Sequence, residues 1–228
     1  VLLILLTLSL TVPVFAQTRN YRQLHDMLIK FYGYQRAGLK SGSANNLNPG
    51  FTNASHGGDN FNGNALDGGW YDAGDYIKFG MPLGYAVYCL LKGHDVFPSA
   101  YTDNHSWDYK SKDGIPDILN EVKFATDYIN KAVISKDQVV LDVGKADEEH
   151  RTWGVVNAGG RSGDKIVLCS GADIPLTFAA CLALMSTLYR EFDSDYADLC
   201  LEKAKLAFEF GKKKVDSKNY YCTPQIKD

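Results

Sequence analysis

Gly68-Gly69-Trp70-Tyr71-Asp72-Ala73-Gly74-Asp75-Tyr76-Ile77-Lys78-Phe79-Gly80 sets two carboxylates three positions apart among glycines and aromatics, just before an apolar run opens at Met81. Gly and the Asp-Ala-Gly-Asp core disfavour helix and strand alike, so the backbone is expected to turn tightly here. Such a turn can aim both Asp side chains at one point, where a water molecule is held and deprotonated. One plain reading is an Asx-turn that caps the following helix. The neighbouring Trp70, Tyr71, Tyr76 and Phe79 favour another. Sugar faces stack on flat apolar rings while a carboxylate handles the proton.

Outward from this stretch the chain reads as helices joined by long loops. Leu24, Met27, Leu28, Phe31 and Tyr32 recur at helical spacing, predicting a helix with one buried face. Residues 41–66 are rich in Gly, Asn and Ser without any period and read as a loop, and a loop that long inside a domain is usually functional. Met81 to Leu91 is apolar nearly all round and predicts a buried helix. Pro116 suits the first turn of a third helix whose stripe is Ile118, Val122, Ala125, Ile129 and Ala132. Val139 to Val143 reads as a short surface hairpin arm. Asp173 can cap a fourth helix with Pro175 in its first turn, and Ser194 or Asp195 starts a fifth that runs to about Phe210. The Lys212-Lys213-Lys214 run then compensates a helix C-terminus. Helices in succession, with no parallel-sheet signal and no linker, argue for an all-α toroid or bundle.

Residues 1–16 carry no charge and end in Val14-Phe15-Ala16, a small-x-small cleavage pattern. They read as part of a secretory leader cut after Ala16, with a membrane anchor as the alternative. No Met or basic stretch precedes them, so the sequence is expected to begin inside its reading frame. A net charge of −3 and a pI near 6.0 offer no basic footprint for nucleic acid or anionic lipid. The five cysteines (Cys89, Cys169, Cys181, Cys200, Cys222) lack Cys-x-x-Cys spacing, which speaks against zinc. Cys181 and Cys200 fall in helical patterns as small apolar residues, and one disulfide is possible in an oxidising compartment.

Gly-Gly-Trp-Tyr-Asp-Ala-Gly-Asp-x-x-Lys-Phe resembles the signature of glycoside hydrolase family 9, the inverting endoglucanases and related cellulases. Three further segments are similar to that family: Phe31-Tyr32-Gly33-Tyr34-Gln35-Arg36-Ala37-Gly38, Ile118 through Tyr128, and His150-Arg151-Thr152-Trp153-Gly154. Together they extend the resemblance from about residue 20 to about residue 215. It implies an (α/α)6 barrel, of which this chain would supply roughly the first half as part of a catalytic domain spanning residues 17–228. Two departures stand out. Ser170-Gly171-Ala172-Asp173 and Leu176-Thr177-Phe178 replace the usual start of the fourth helix, and Tyr76 stands where His is frequent.

The resemblance also implies roles. Inverting hydrolysis pairs a general base with a general acid roughly 6.5–9.5 Å apart. Asp75 would be the base and Asp72 would help hold the water. The acid would be a Glu near the domain's C-terminal end, beyond Asp228. Glu148 and Glu149 read as solvated loop charges. Trp153 would stack on sugar and His150 would bond its hydroxyls, with a half-buried anchor and a surface histidine as the plainer readings. Tyr71 belongs to the same aromatic wall. Tyr221 would lie on the cleft floor, or else be an ordinary core tyrosine. No cofactor is expected, and a calcium site known in some members is placed downstream, so no metal ligand is assigned. The implied partner is a β-glucan or cello-oligosaccharide, hydrolysed outside the cell without membrane insertion. A non-catalytic carbohydrate-binding remnant of the same fold is the alternative.

Overall fold

The computed structural model describes residues 20–38, 57–103, 112–144, 146–151 and 165–222. Residues 1–19, most of the Gly/Asn-rich loop and Trp153 lie outside them. Five long helices carry the fold: α1 (Tyr21–Gly33), α2 (Gly80–Val96), α3 (Asp117–Ala132), α5 (Asp173–Tyr189) and α6 (Ser194–Asp216). A one-turn helix, α4 (Ala146–Glu149), precedes His150. Among the described residues no helix is long and apolar enough to cross a membrane.

The third helix behaves as its spacing dictates. Ile118, Val122, Ala125, Ile129 and Ala132 are fully buried, and they pack against α2, α5 and α6. The α5–α6 hairpin is the most extensive helix pair, and Asp193 caps α6 by accepting the Tyr196 N–H (2.9 Å). Cys181 and Cys200 are buried thiols, as expected. Asp173 lies inside the first turn of α5 rather than at its cap, which is Ala172.

Two helices depart from expectation. In α1 the periodic stripe lies open, with Leu24 49%, Met27 62%, Leu28 52% and Phe31 55% exposed. Ile29 and Gly33 make the buried side instead, and α3 is the helix that α1 packs against. In α2, Leu83, Val87 and Leu91 are buried while Met81 and Tyr85 face outward, because α3 and α5 cover one side only.

The strands are few and positional. β1 (Asn60–Phe61) and β2 (Asn64–Ala65) form a hairpin turned by Asn62 (φ +51°) and Gly63 (φ +87°), the positive-φ pair that a two-residue turn requires. β3 (Lys78–Phe79), β4 (Val133–Ser135) and β6 (Ile166–Leu168) all pair antiparallel with β5 (Gln138–Val143). β5 is no surface arm: Val139, Val140 and Val143 are fully buried. Helices α2, α3 and α6 pack around it, so both faces need apolar residues and its run lacks alternation. The small sheet thus anchors the segment just before α2.

Candidate active site

The carboxylate-bearing turn is held by chain segments remote in sequence. Ala37 N–H donates to Gly69 O (2.9 Å) and Tyr71 N–H to Gln35 O (2.8 Å), laying the end of α1 against the start of the motif. Gly69 has φ +77°, and a Cβ there would sit 2.8 Å from the Tyr128 ring, so no side chain fits. Trp70 is buried and its Nε1–H donates to Glu121 Oε1 (3.0 Å). The same carboxylate accepts from Arg36 Nη2 (2.6 Å) and Nε (3.2 Å), and the guanidinium lies over the Phe124 ring (4.8 Å). Glu121 therefore ties both segments to α3. Sequence reasoning passed over this pair, although a signal existed. Glu121 stands three residues after Ile118 and four before Ala125, on the apolar stripe, where a charge needs a partner.

Beyond Trp70 the chain closes on itself. Asp72 N–H donates to Ile77 O (2.9 Å) and Tyr76 N–H to Ala73 O (3.3 Å). Tyr76 turns the chain with φ +62°, a left-handed conformation unusual for a bulky residue. Asp75 Oδ1 accepts the Ile77 N–H (3.2 Å), so the Asx-turn is real. It does not cap α2, whose N-cap is Phe79 with no side-chain bond. It orients a carboxylate instead. The other oxygen, Oδ2, lies 2.8 Å from His150 Nε2, the Asp75 side chain being 10% and the His150 side chain 55% exposed.

The structure therefore brings Asp72, Asp75 and His150 together. Partial burial raises the Asp72 carboxyl above its ordinary pKa, the charge of Asp75 adds to this, and His150 opposes it. An aromatic-walled cleft of about 100 Å³ opens beside Asp72, lined by Phe31, Tyr32, Trp70, Tyr71 and Phe79 among others. Tyr71 is itself buried, with Tyr76 edge-on to it at 5.4 Å. Glu149 is half-buried beside His150 in sequence, while the Glu148 side chain and Trp153 lie outside the described residues.

Beneath the turn lies a buried polar layer that the sequence did not announce. Lys78 is fully buried, 2.8 Å from Asp59 Oδ2, and donates to Leu66 O (2.5 Å). Burial lowers its proton affinity, and the charge and hydrogen bond of Asp59 work against that. Asp142, opposite Phe79 in the β3–β5 register, accepts the Gly80 N–H (3.1 Å). Burial pushes it up to about 6 against the pull of that bond. Gly80 tolerates no Cβ, which would strike the Leu141 carbonyl and lie 3.1 Å from Ile174 of α5. The N-termini of α2 and α5 consequently share the end of the molecule that carries the turn. Tyr220 and Tyr221 lie at that α5 terminus, exposed and not in a core. Among the described residues one group has cation-ligand spacing, Cys169, Asp173 and Cys222, with ligand atoms within 4.8 Å. Its sulfurs are joined as a disulfide, and Asp173 Oδ1 already accepts two N–H groups.

Known proteins of similar sequence and fold point to one family. The model of glycosyl hydrolase family 9 matches residues 21–228. Endoglucanase 4 of Bacillus sp. (strain KSM-522) is 34% identical over 195 residues, covering 84% of this chain and 29% of that protein. Endoglucanase A of Fibrobacter succinogenes is 27% identical, covering 86% of this chain and 47% of that one. Among solved structures, the cellulase Cel9M of C. cellulolyticum in complex with cellobiose superposes with a TM-score of 0.74 at 28% identity. That match covers 93% of this chain and 48% of Cel9M. The endoglucanase of the termite Nasutitermes takasagoensis superposes with a TM-score of 0.70 at 27% identity, covering 91% and 48%. The chain thus spans less than half the length of each of these relatives. With the family model running from the first turn of α1 through the last described residue, the chain belongs to glycosyl hydrolase family 9.

Proposed function

We propose that this chain forms the N-terminal part of the catalytic domain of a secreted, inverting β-1,4-glucanase acting on cellulose or a related β-glucan. In that reading its helices are part of an (α/α)6 barrel, and the general acid comes from the portion of the fold that the longer relatives have and this chain does not span. The observation that carries it is the closed turn 72–77. That turn presents two carboxyls beside an aromatic cleft and fixes one of them from two sides.

Asp75 acts as the base. Its carboxylate is oriented by the Ile77 N–H and by His150, so little reorganisation is needed when a water gives up its proton. Asp72, with its raised proton affinity, bonds the same water and sets its direction of attack. His150 bonds sugar hydroxyls, Trp153 supplies a stacking ring, Tyr71 backs the aromatic wall, and Tyr221 meets the chain at the α5 end. The chemistry uses carboxylates alone and needs no cofactor. A disulfide between Cys169 and Cys222 supports an extracytoplasmic location.

In the enzyme assembled with the remainder of its fold, Asp75→Asn should lower turnover of cellotetraose by about 10²–10⁴-fold while its affinity stays within about threefold. Retention of more than a few per cent of turnover would remove Asp75 from this role. Binding without turnover in the unsubstituted enzyme would instead favour a carbohydrate-binding remnant.

A further inference from the structure

The segment after α6 returns to the N-terminus of α5 and is docked there by its own backbone groups and one covalent link. The Tyr220 carbonyl accepts the N–H groups of Ala172 (3.1 Å) and Asp173 (3.0 Å), amides that no carbonyl within α5 can reach. Cys222 N–H donates back to Asp173 Oδ1 (2.7 Å). The crossing is so close that a Cβ on Gly171 would overlap the Tyr221 carbonyl and the Cys222 nitrogen. Cys169 and Cys222, 53 residues apart with Cα atoms 5.2 Å from each other, close the dock as a disulfide. Cys169 is in turn fixed on the sheet, its N–H donating to Val139 O (2.8 Å).

The two tyrosines contribute little to holding this segment. Tyr220 is 51% and Tyr221 78% exposed, so their rings bury little apolar surface. From Ser217 to Cys222 only Cys222 is buried, and three hydrogen bonds open readily when so little apolar surface is buried with them. The covalent bond is what keeps the segment down.

We propose that the Cys169–Cys222 disulfide is a thiol-sensitive clamp that holds Tyr220 and Tyr221 over the N-terminus of α5, at the end of the molecule that carries Asp72 and Asp75. Opening it takes two electrons and two protons from an external dithiol, which leaves as its own disulfide while Cys169 and Cys222 become thiols. The segment beyond α6 then peels away, and the paired aromatic edge is lost. That this edge serves sugar binding rests on the glucanase reading, whereas the clamp does not.

Maleimide titration of the denatured, unreduced chain should find three thiols, Cys89, Cys181 and Cys200, and five after dithiothreitol. Amide exchange at Ala172, Asp173 and Cys222 should quicken at least tenfold on reduction, while Val122 and Ala125 in α3 stay protected as a control for global unfolding. The Cys169→Ala/Cys222→Ala variant should show the fast exchange without reductant. Five thiols before reduction, or unchanged exchange at Ala172 and Asp173 after it, would overturn the clamp. In the assembled enzyme, reduction should weaken cellotetraose binding severalfold, and Tyr221→Ala should mimic that in the oxidised form. Absence of sugar binding in either redox state, together with redox-dependent exchange, would count against the glucanase reading and uphold the clamp.

Discussion

Helices α1 and α3 carry apolar stripes of the same helical period, yet they end in opposite surroundings. The α3 stripe is wholly buried beneath α2, α5 and α6. Most of the α1 stripe faces outward, with Leu24, Met27, Leu28 and Phe31 about half exposed or more. Periodicity shows that a face is suited to burial; it does not say what covers it. The α1 face is a contiguous run of large side chains of the kind that marks an interaction surface. In the proposed barrel, the remaining helices of the fold would cover it.

Four substitutions, taken from the largest expected effect to the smallest, break or sharpen this contrast. Lys78→Ala, beneath the turn, takes the ammonium out of a fully buried pair with Asp59 and should cost about 3–5 kcal/mol in urea unfolding. A loss below about 1 kcal/mol would mean that water reaches this pair. Ile129→Ala in the closed face of α3 should cost about 2–5 kcal/mol in the same measurement.

Asp142→Asn tests the buried sheet through pH. Because the folded carboxyl is raised to about 6, the folded state binds its proton more tightly than the unfolded chain does. This contribution to stability is complete below the unfolded pKa of about 4 and is lost as pH rises through about 6. The difference in unfolding free energy between the variant and the parent should therefore change by about 2–3 kcal/mol from pH 4 to pH 7.5, in the variant's favour at the higher pH. A pH-independent difference would contradict the burial assigned to Asp142. Leu28→Ala on the open face of α1 should change stability by less than about 0.5 kcal/mol. A cost comparable to that of Ile129→Ala would show that this face is covered in solution.

Much of the helical framework was legible because it depends on local period and local caps. The α3 stripe followed from spacing alone. α6 does start at Ser194, one of the two starts read, with Asp193 as its cap, and the helix continues past Phe210 to Asp216. Its lysine run remained helical, with Lys212 paired to Asp216 one turn on (2.9 Å). β5 was misread because a short run such as Val139-Val140-Leu141 does not reveal whether one face or two are covered. In the site, the motif itself announced Asp72 and Asp75. His150 was singled out as well, although its partner in the structure is Asp75. The pairings Arg36–Glu121, Lys78–Asp59 and Asp142–Gly80 were not legible: the stripe position of Glu121 called for a partner, but no local window says which distant residue supplies one.

One of those links bears on how the molecule is made. Glu121 reaches Arg36 across 85 positions and Trp70 across 51. Closing loops of that size costs entropy before the contacts can repay it. A nascent chain that stops short of α3 therefore has the whole Asp72–Asp75 sequence and its local hydrogen bonds, but lacks the carboxylate that ties Arg36 and Trp70 together. The turn is pinned to the rest of the fold when α3 arrives. A residue that does not line the cleft thus decides when the stretch is pinned, and a nascent chain halted before α3 should leave it more open to protease than the finished chain does.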